Sequence, residues 1–224
     1  MKVCVFGDSI GKGIVQDADS ERYQTLKLDA MEPLAQYKNS VSLKNYSMFG
    51  CTVTKGLSLI ERHEGELSGC DCVILEFGGN DCNFPWKEVA VAPEEEHHPK
   101  NPLENFMRLY RAAIEKVQKA GAKPILLTLP PLQAKRFFGW ISKGLNAQSI
   151  LKWLGGVDMI YRWQEMYSLA VSKLGEMLSV PVIDIRSAFL YRQDLPELIG
   201  ADGMHPTSKG YELIVKTVCE ELAS

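Results

Sequence analysis

The sequence predicts an α/β protein built on a parallel sheet, and three observations carry that reading. Short apolar runs alternate along the chain with longer segments of helical periodicity. The runs are apolar at successive positions, as strands covered on both faces require. Glycine or proline closes most of them, at Gly7, at Gly78-Gly79 and at Pro130-Pro131.

Residues 2–6 read as the first strand and residues 41–47 as a weaker one. Residues 72–77 (CVILEF) form a third, apolar except for Glu76. Residues 124–129 (PILLTL) and 181–185 (PVIDI) supply the fourth and fifth. Between them, residues 54–67 carry a helical pattern. Leu103, Phe106, Met107, Tyr110, Ile114 and Val117 keep the i, i+3, i+4, i+7 spacing, with Gly121 as the stop. Met159, Trp163, Met166, Ala170, Leu174 and Leu178 form another stripe, and Tyr211, Ile214, Val215, Val218 and Leu222 the last. Two connections, residues 82–102 and 130–157, are longer than ordinary loops, and segments of that kind are often functional or mobile. A parallel sheet binds ligands beyond the carboxyl ends of its strands, so the residues just after each strand are where chemistry is expected.

Composition narrows the class. The 224 residues suit one domain, and a chain of this size folds without a metal or disulfide. Hydrophobic residues at 46% and charged residues at 24% exclude a disordered chain. With 25 Lys+Arg against 28 Asp+Glu the net charge is −3, which argues against a nucleic-acid binder. No apolar run reaches the roughly 18 residues of a membrane span. Met1-Lys2-Val3-Cys4-Val5-Phe6 reads as a strand rather than a leader, because Gly7-Asp8-Ser9 follows at once without a cleavage site. A cytoplasmic protein is therefore expected. The six cysteines show neither a C-x-x-C pair nor a disulfide framework, and Cys4 and Cys219 are expected as buried small hydrophobes.

Four short motifs follow the strands. Gly7-Asp8-Ser9-Ile10 presents a serine at a strand end, either as a nucleophile or as part of a helix cap. It is not a P-loop, since Gly7 and Gly11 have three residues between them and Gly13 follows Lys12. Phe49-Gly50-Cys51-Thr52 is a glycine turn before a helix. Gly78-Gly79-Asn80-Asp81 allows a tight turn and can aim an amide donor into a cleft, or is an ordinary Gly-Asn turn. Asp202-Gly203-Met204-His205-Pro206 sets a carboxylate three residues before an imidazole at a helix start.

In this order and spacing, the four blocks make the chain resemble the SGNH hydrolases, the GDSL-type esterases and lipases, across nearly its whole length. Ile10 stands where the family nickname has leucine, and the block around Gly50 is the loosest match. The resemblance implies a single domain over residues 1–224 with a flavodoxin-like three-layer α/β/α fold on a mostly parallel five-stranded sheet. It implies a serine hydrolase without metal or cofactor, in which Ser9 is the nucleophile, His205 the base and acid, and Asp202 its orienting carboxylate. The oxyanion donors would be the Ser9 and Gly50 amides and the Asn80 side chain. That chemistry is coherent: a hydroxyl needs a neighbouring base, imidazole titrates near neutrality, and a carboxylate fixes its tautomer.

Other groups are weaker candidates. Glu94-Glu95-Glu96-His97-His98 reads as a solvated loop rather than a metal site, His63 as surface, and Asp184 as a rival partner for His205. The insert at 132–156 carries Phe137, Phe138, Trp140, Ile141, Trp153 and Leu154 among lysines and arginines. It reads as a packing pair of helices, as a lid or acyl wall, or as a membrane-surface contact. Phe138 and Trp140 of the insert, with Trp86, are the candidate substrate contacts. The expected partner is a small-molecule ester, an acetyl ester of a carbohydrate or other metabolite first, a lysophospholipid or thioester second. A binding module on the same scaffold and a nucleotide-binding flavodoxin-like protein are the rivals from other classes.

Overall fold

The computed structural model describes residues 1–17, 21–31, 34 and 41–223. Strands β1 (Lys2–Gly7), β2 (Ile14–Gln16), β3 (Tyr23–Thr25), β4 (Ser42–Asn45), β5 (Cys72–Glu76), β6 (Lys123–Leu127) and β7 (Val182–Ile183) lie among helices. The helices are α1 (Ser9–Lys12), α2 (Val53–Arg62), α3 (Glu64–Leu67), α4 (Trp86–Val91) and α5 (Leu103–Lys119). They continue with α6 (Ala134–Ile141), α7 (Ala147–Leu154), α8 (Asp158–Leu178), α9 (Ile185–Leu190), α10 (Leu195–Leu198) and α11 (Ser208–Ala223).

Among the described residues, five strands form one sheet in the order β4–β1–β5–β6–β7, with every pair parallel. β1 is central to the site: Val3 lies opposite Leu43 of β4 on one side and Cys72 of β5 on the other. Alternate side chains enter two different cores, as the period of two requires. Cys4, Phe6, Val73 and Leu75 pack with Ile60 of α2, Ile114 of α5 and Val171 of α8. Val3, Val5, Ile74 and Ile183 pack with Phe189 of α9 and Tyr211 and Ile214 of α11. This is the three-layer α/β/α arrangement, and it explains why the inner strands β1, β5 and β6 read as mainly apolar runs.

Boundaries differ from the expectation where side chains intervene. β4 ends at Asn45, whose Oδ1 accepts the Ser47 amide at 2.9 Å. β7 stops before Asp184, which instead caps α9 by accepting the Ser187 amide at 3.1 Å. The helix expected over 54–67 breaks at His63 into α2 and α3. The antiparallel hairpin of β2 and β3 is an addition to the expected elements.

The insert packs on the domain. Phe137 of α6 and Ile150 and Leu154 of α7 join Phe84, Val89, Ala90 and Ile160 in a third apolar cluster. Gly203 shows how closely it docks: a Cβ there would lie 2.3 Å from the Phe137 amide nitrogen, and its φ is +74°. The Gln133 amide donates to the Gly203 carbonyl at 2.9 Å, tying the insert to the loop that carries Asp202 and His205.

The cysteine expectation is corrected at two positions. Cys4 is buried, but it is joined to Cys70 in a disulfide across a sequence separation of 66. The cause is spatial: Cys70 lies just before β5, which pairs with β1. Cys219 is half-buried rather than core. Among the described residues, no helix is long and apolar enough to cross a membrane.

Candidate active site

β1 delivers the first site residue. Its last residue, Gly7, leads into Asp8, whose Oδ1 accepts the Ile10 amide at 2.8 Å and so caps α1. Ser9 opens that helix and is buried. The other two blocks meet it at the same sheet edge. The Ser9 Oγ lies 2.9 Å from His205 Nε2, and His205 Nδ1 lies 2.6 Å from Asp202 Oδ2. The residues the sequence singled out as Ser9, His205 and Asp202 therefore form one hydrogen-bonded line.

Asp202 is held from several sides. Its Oδ1 accepts the amides of Met204 and His205, both at 3.0 Å. Burial alone would raise its pKa, but the His205 ring and these amides outweigh burial and hold the carboxyl below its ordinary range. Asp184, the rival, takes no part: its carboxylate accepts from Thr128 Oγ1 at 2.9 Å and from Ser187.

The two glycine blocks flank the serine. Met48, two residues before Gly50, donates its amide to the Gly7 carbonyl at 3.1 Å, which brings the Gly50 turn to the end of β1. Gly50 has a φ of +70°. Asn80 Nδ2 donates to Asp8 Oδ2 at 2.9 Å, which engages one of its two amide hydrogens. Asp81 anchors the same block, accepting the Val53 amide at 3.0 Å and Asn101 Nδ2 at 2.6 Å. Burial pushes its carboxyl up to about 6 despite these bonds.

Tyr23 was not singled out by the sequence. Its hydroxyl donates to Asp202 Oδ2 at 3.3 Å, and its ring lies 5.0 Å from that of His205. Burial, then the Asp202 charge, push the phenol pKa up, so the group stays a donor. Phe49 stacks on His205 at 6.0 Å, and Trp140 meets Tyr23 at 6.1 Å. No motif marks Tyr23; only the hairpin places it.

A cavity of about 40 Å³ opens beside this line. Ile10, Gly79 and Met204, the chain neighbours of Ser9, Asn80 and His205, line it together with Trp86, Phe137 and Trp163. Trp86 lines the cavity and also packs against the third apolar cluster. Phe137, not Phe138, faces the cavity; Phe138 packs in the third cluster, and Trp140 sits over Tyr23 instead. The thiol of Cys82 also lines the cavity, but burial pushes its pKa up and keeps it from being a thiolate nucleophile. A larger apolar cavity of about 160 Å³ lies on the other side of the sheet under α11, lined by Val3, Val5 and Ile214. It is also lined by Ile10, Gly11 and Glu76 beside the serine turn, though not by His205 or Asn80. His97 bonds the Ala92 carbonyl and His98 lies 3.8 Å from Glu96. Among the described residues, no group of three or more metal-ligating side chains gathers.

Comparison with known proteins gives the family and the fold. A family model described as GDSL-like Lipase/Acylhydrolase family matches residues 5–213. A GDSL esterase/lipase of Arabidopsis thaliana is 28% identical over 155 residues, which are 67% of this chain and 43% of that protein. The match thus spans less than half the length of that curated relative. The lipase/acylhydrolase from Enterococcus faecalis has a TM-score of 0.69 at 20% identity, covering 99% of this chain and 94% of that one. A catalytic mutant of an acetylxylan esterase from Geobacillus stearothermophilus has a TM-score of 0.67 at 17% identity, covering 99% and 93%. At these identities the solved structures speak for the fold.

Proposed function

The chain belongs to the GDSL-like lipase/acylhydrolase family, and from that premise we propose that it cleaves short-chain carboxylic esters through an acyl-enzyme on Ser9. The observation that carries the reading is the line from Ser9 Oγ to His205 Nε2 at 2.9 Å and from His205 Nδ1 to Asp202 Oδ2 at 2.6 Å. As Ser9 Oγ attacks the ester carbonyl, its proton passes to His205 Nε2. Asp202 stabilises the resulting imidazolium. The tetrahedral oxyanion is met by the Ser9 and Gly50 amides and the second hydrogen of Asn80 Nδ2. His205 then protonates the departing alcohol. Water, deprotonated by the same imidazole, releases the acid and restores Ser9.

Loss of the Asn80 donor is expected to be large. Asn80→Ala should lower kcat by about 10²- to 10³-fold with little change in KM, the scale of an oxyanion donor. Steady-state kinetics checks this, and wild-type kcat in the variant would remove Asn80 from the site.

The lining of the cavity supports a short acyl group. Trp86, Leu132, Phe137 and Trp163 crowd the space next to Ile10 and Gly79, and bulky walls leave least room for a long chain. Acetylxylan is the substrate named for one similar fold, and an acetylated carbohydrate or other small metabolite is the class proposed here. Hydrolysis of p-nitrophenyl esters from acetyl to dodecanoyl tests it. The expected kcat/KM is highest from acetyl to butyryl and falls at least tenfold by octanoyl, since forcing extra methylenes against packed walls costs about 1–3 kcal/mol. A maximum at octanoyl or beyond would replace this reading with the long-chain one.

A further inference from the structure

Glu76 is the one polar residue in the apolar run of β5 and is fully buried, yet the acyl-transfer steps above do not use it. Burying an acid in a sheet core is costly unless its oxygens are engaged. Here one oxygen is engaged by the turn that carries Ser9. The amides of Asp8 and Gly11 both donate to Glu76 Oε2, at 3.1 and 3.0 Å. Gly7 leaves room for this: a Cβ there would lie 2.8 Å from the same oxygen.

The first turn of a helix leaves its amides without partners in the helix. In α1 the Ile10 amide goes to Asp8 Oδ1, the Gly11 amide to Glu76 and the Lys12 amide to the Asp8 carbonyl. Among the described residues, the Ser9 amide is then the one left over. Glu76 and Asp8 thus claim the amides on both sides of Ser9 and leave its N–H for an oxyanion. Asp8 also holds Asn80 through its other oxygen. The two carboxyls therefore connect the serine turn to both kinds of oxyanion donor.

The geometry points to Glu76 as a positioning residue that fixes the peptide units around Ser9, so that the serine amide and hydroxyl face the substrate. This rests on the reading of Ser9 as the nucleophile. Burial, then the neighbouring Asp8 carboxylate, push Glu76 well above the usual carboxylate range. A neutral acid still offers Oε2 as an acceptor, and its other oxygen has no hydrogen-bond partner among the described residues. Glutamine is therefore the conservative replacement.

The test compares Glu76→Leu, Glu76→Asp and Glu76→Gln on p-nitrophenyl acetate, with kcat expressed per serine titrated by a fluorophosphonate. Leucine removes the acceptor, and aspartate withdraws it by one methylene. In Glu76→Leu, kcat per titrated site is expected to fall about 10- to 100-fold with KM within about threefold, since misaligned donors cost turnover rather than binding. Glu76→Gln is expected to recover most of that loss. If Glu76→Leu lowers only the melting temperature or the titratable fraction, and kcat per site stays at the wild-type value, Glu76 is merely structural and the proposal falls. Should Glu76→Leu not fold, Glu76→Asp decides by the same criterion. If Ser9→Ala keeps wild-type turnover, the nucleophile reading fails and takes the positioning role with it. If wild type titrates at Ser9 while Glu76→Leu turns over normally, only the positioning role fails.

Discussion

In a Ser9→Ala variant, turnover of p-nitrophenyl acetate is expected to fall by about 10⁴- to 10⁶-fold, the range seen when a hydrolase nucleophile is removed. The argument is local. The hydroxyl is the only atom that changes, and it is the atom 2.9 Å from His205 Nε2. Without it, His205 has no proton to take and no acyl-enzyme can form. The oxyanion donors remain, which sets the residual rate. Stability should barely change, because the cap of α1 is the Asp8 side chain and not Ser9. Kinetics beside a thermal melt checks both halves. A variant that melts like wild type and keeps its turnover would end the assignment of Ser9.

The second large effect is expected from Asp202→Asn, at about 10⁴-fold in kcat. Asparagine keeps the Oδ1 acceptor that takes the Met204 and His205 amides, so the loop should hold. At the other position an NH₂ group replaces the Oδ2 acceptor of His205 Nδ1. Two donors cannot face each other, so the ring turns its lone pair to Nδ1 and its hydrogen to Nε2. It then cannot accept the proton of Ser9. A loss below about tenfold would show that another carboxylate orients His205; Asp184→Asn, run in parallel, would identify it if Asp184 were that group.

Most of the sheet was legible because its inner strands β1, β5 and β6 lie between two helix layers, so their apolar signal is strong, whereas the exposed edge strand β4 gave only a weak one. Ser9, Asn80, Asp202 and His205 were legible because turns at strand ends confine them to short, ordered blocks. What was not legible depends on contacts between distant segments. Tyr23 sits in a three-residue strand with no apolar pattern, and only the hairpin brings it to Asp202. Phe137 and Phe138 are adjacent aromatics on a short helix, and packing alone decides which faces the cavity. Cys4 and Cys70 gave no spacing signal because the pairing of β1 with β5 creates their proximity. Glu76 registered only as an interruption in an apolar run, since nothing in the sequence shows which amides an acid will meet.

The contact between Ser9 and His205 spans 196 residues. Closing a loop of this length costs entropy that nearer contacts must first offset, so this contact is expected among the later ones. If the proposed hydrolysis holds, its recovery in a refolding experiment is expected to time the closing of the Ser9–His205 contact. Circular dichroism, dominated by local helices, would register earlier events.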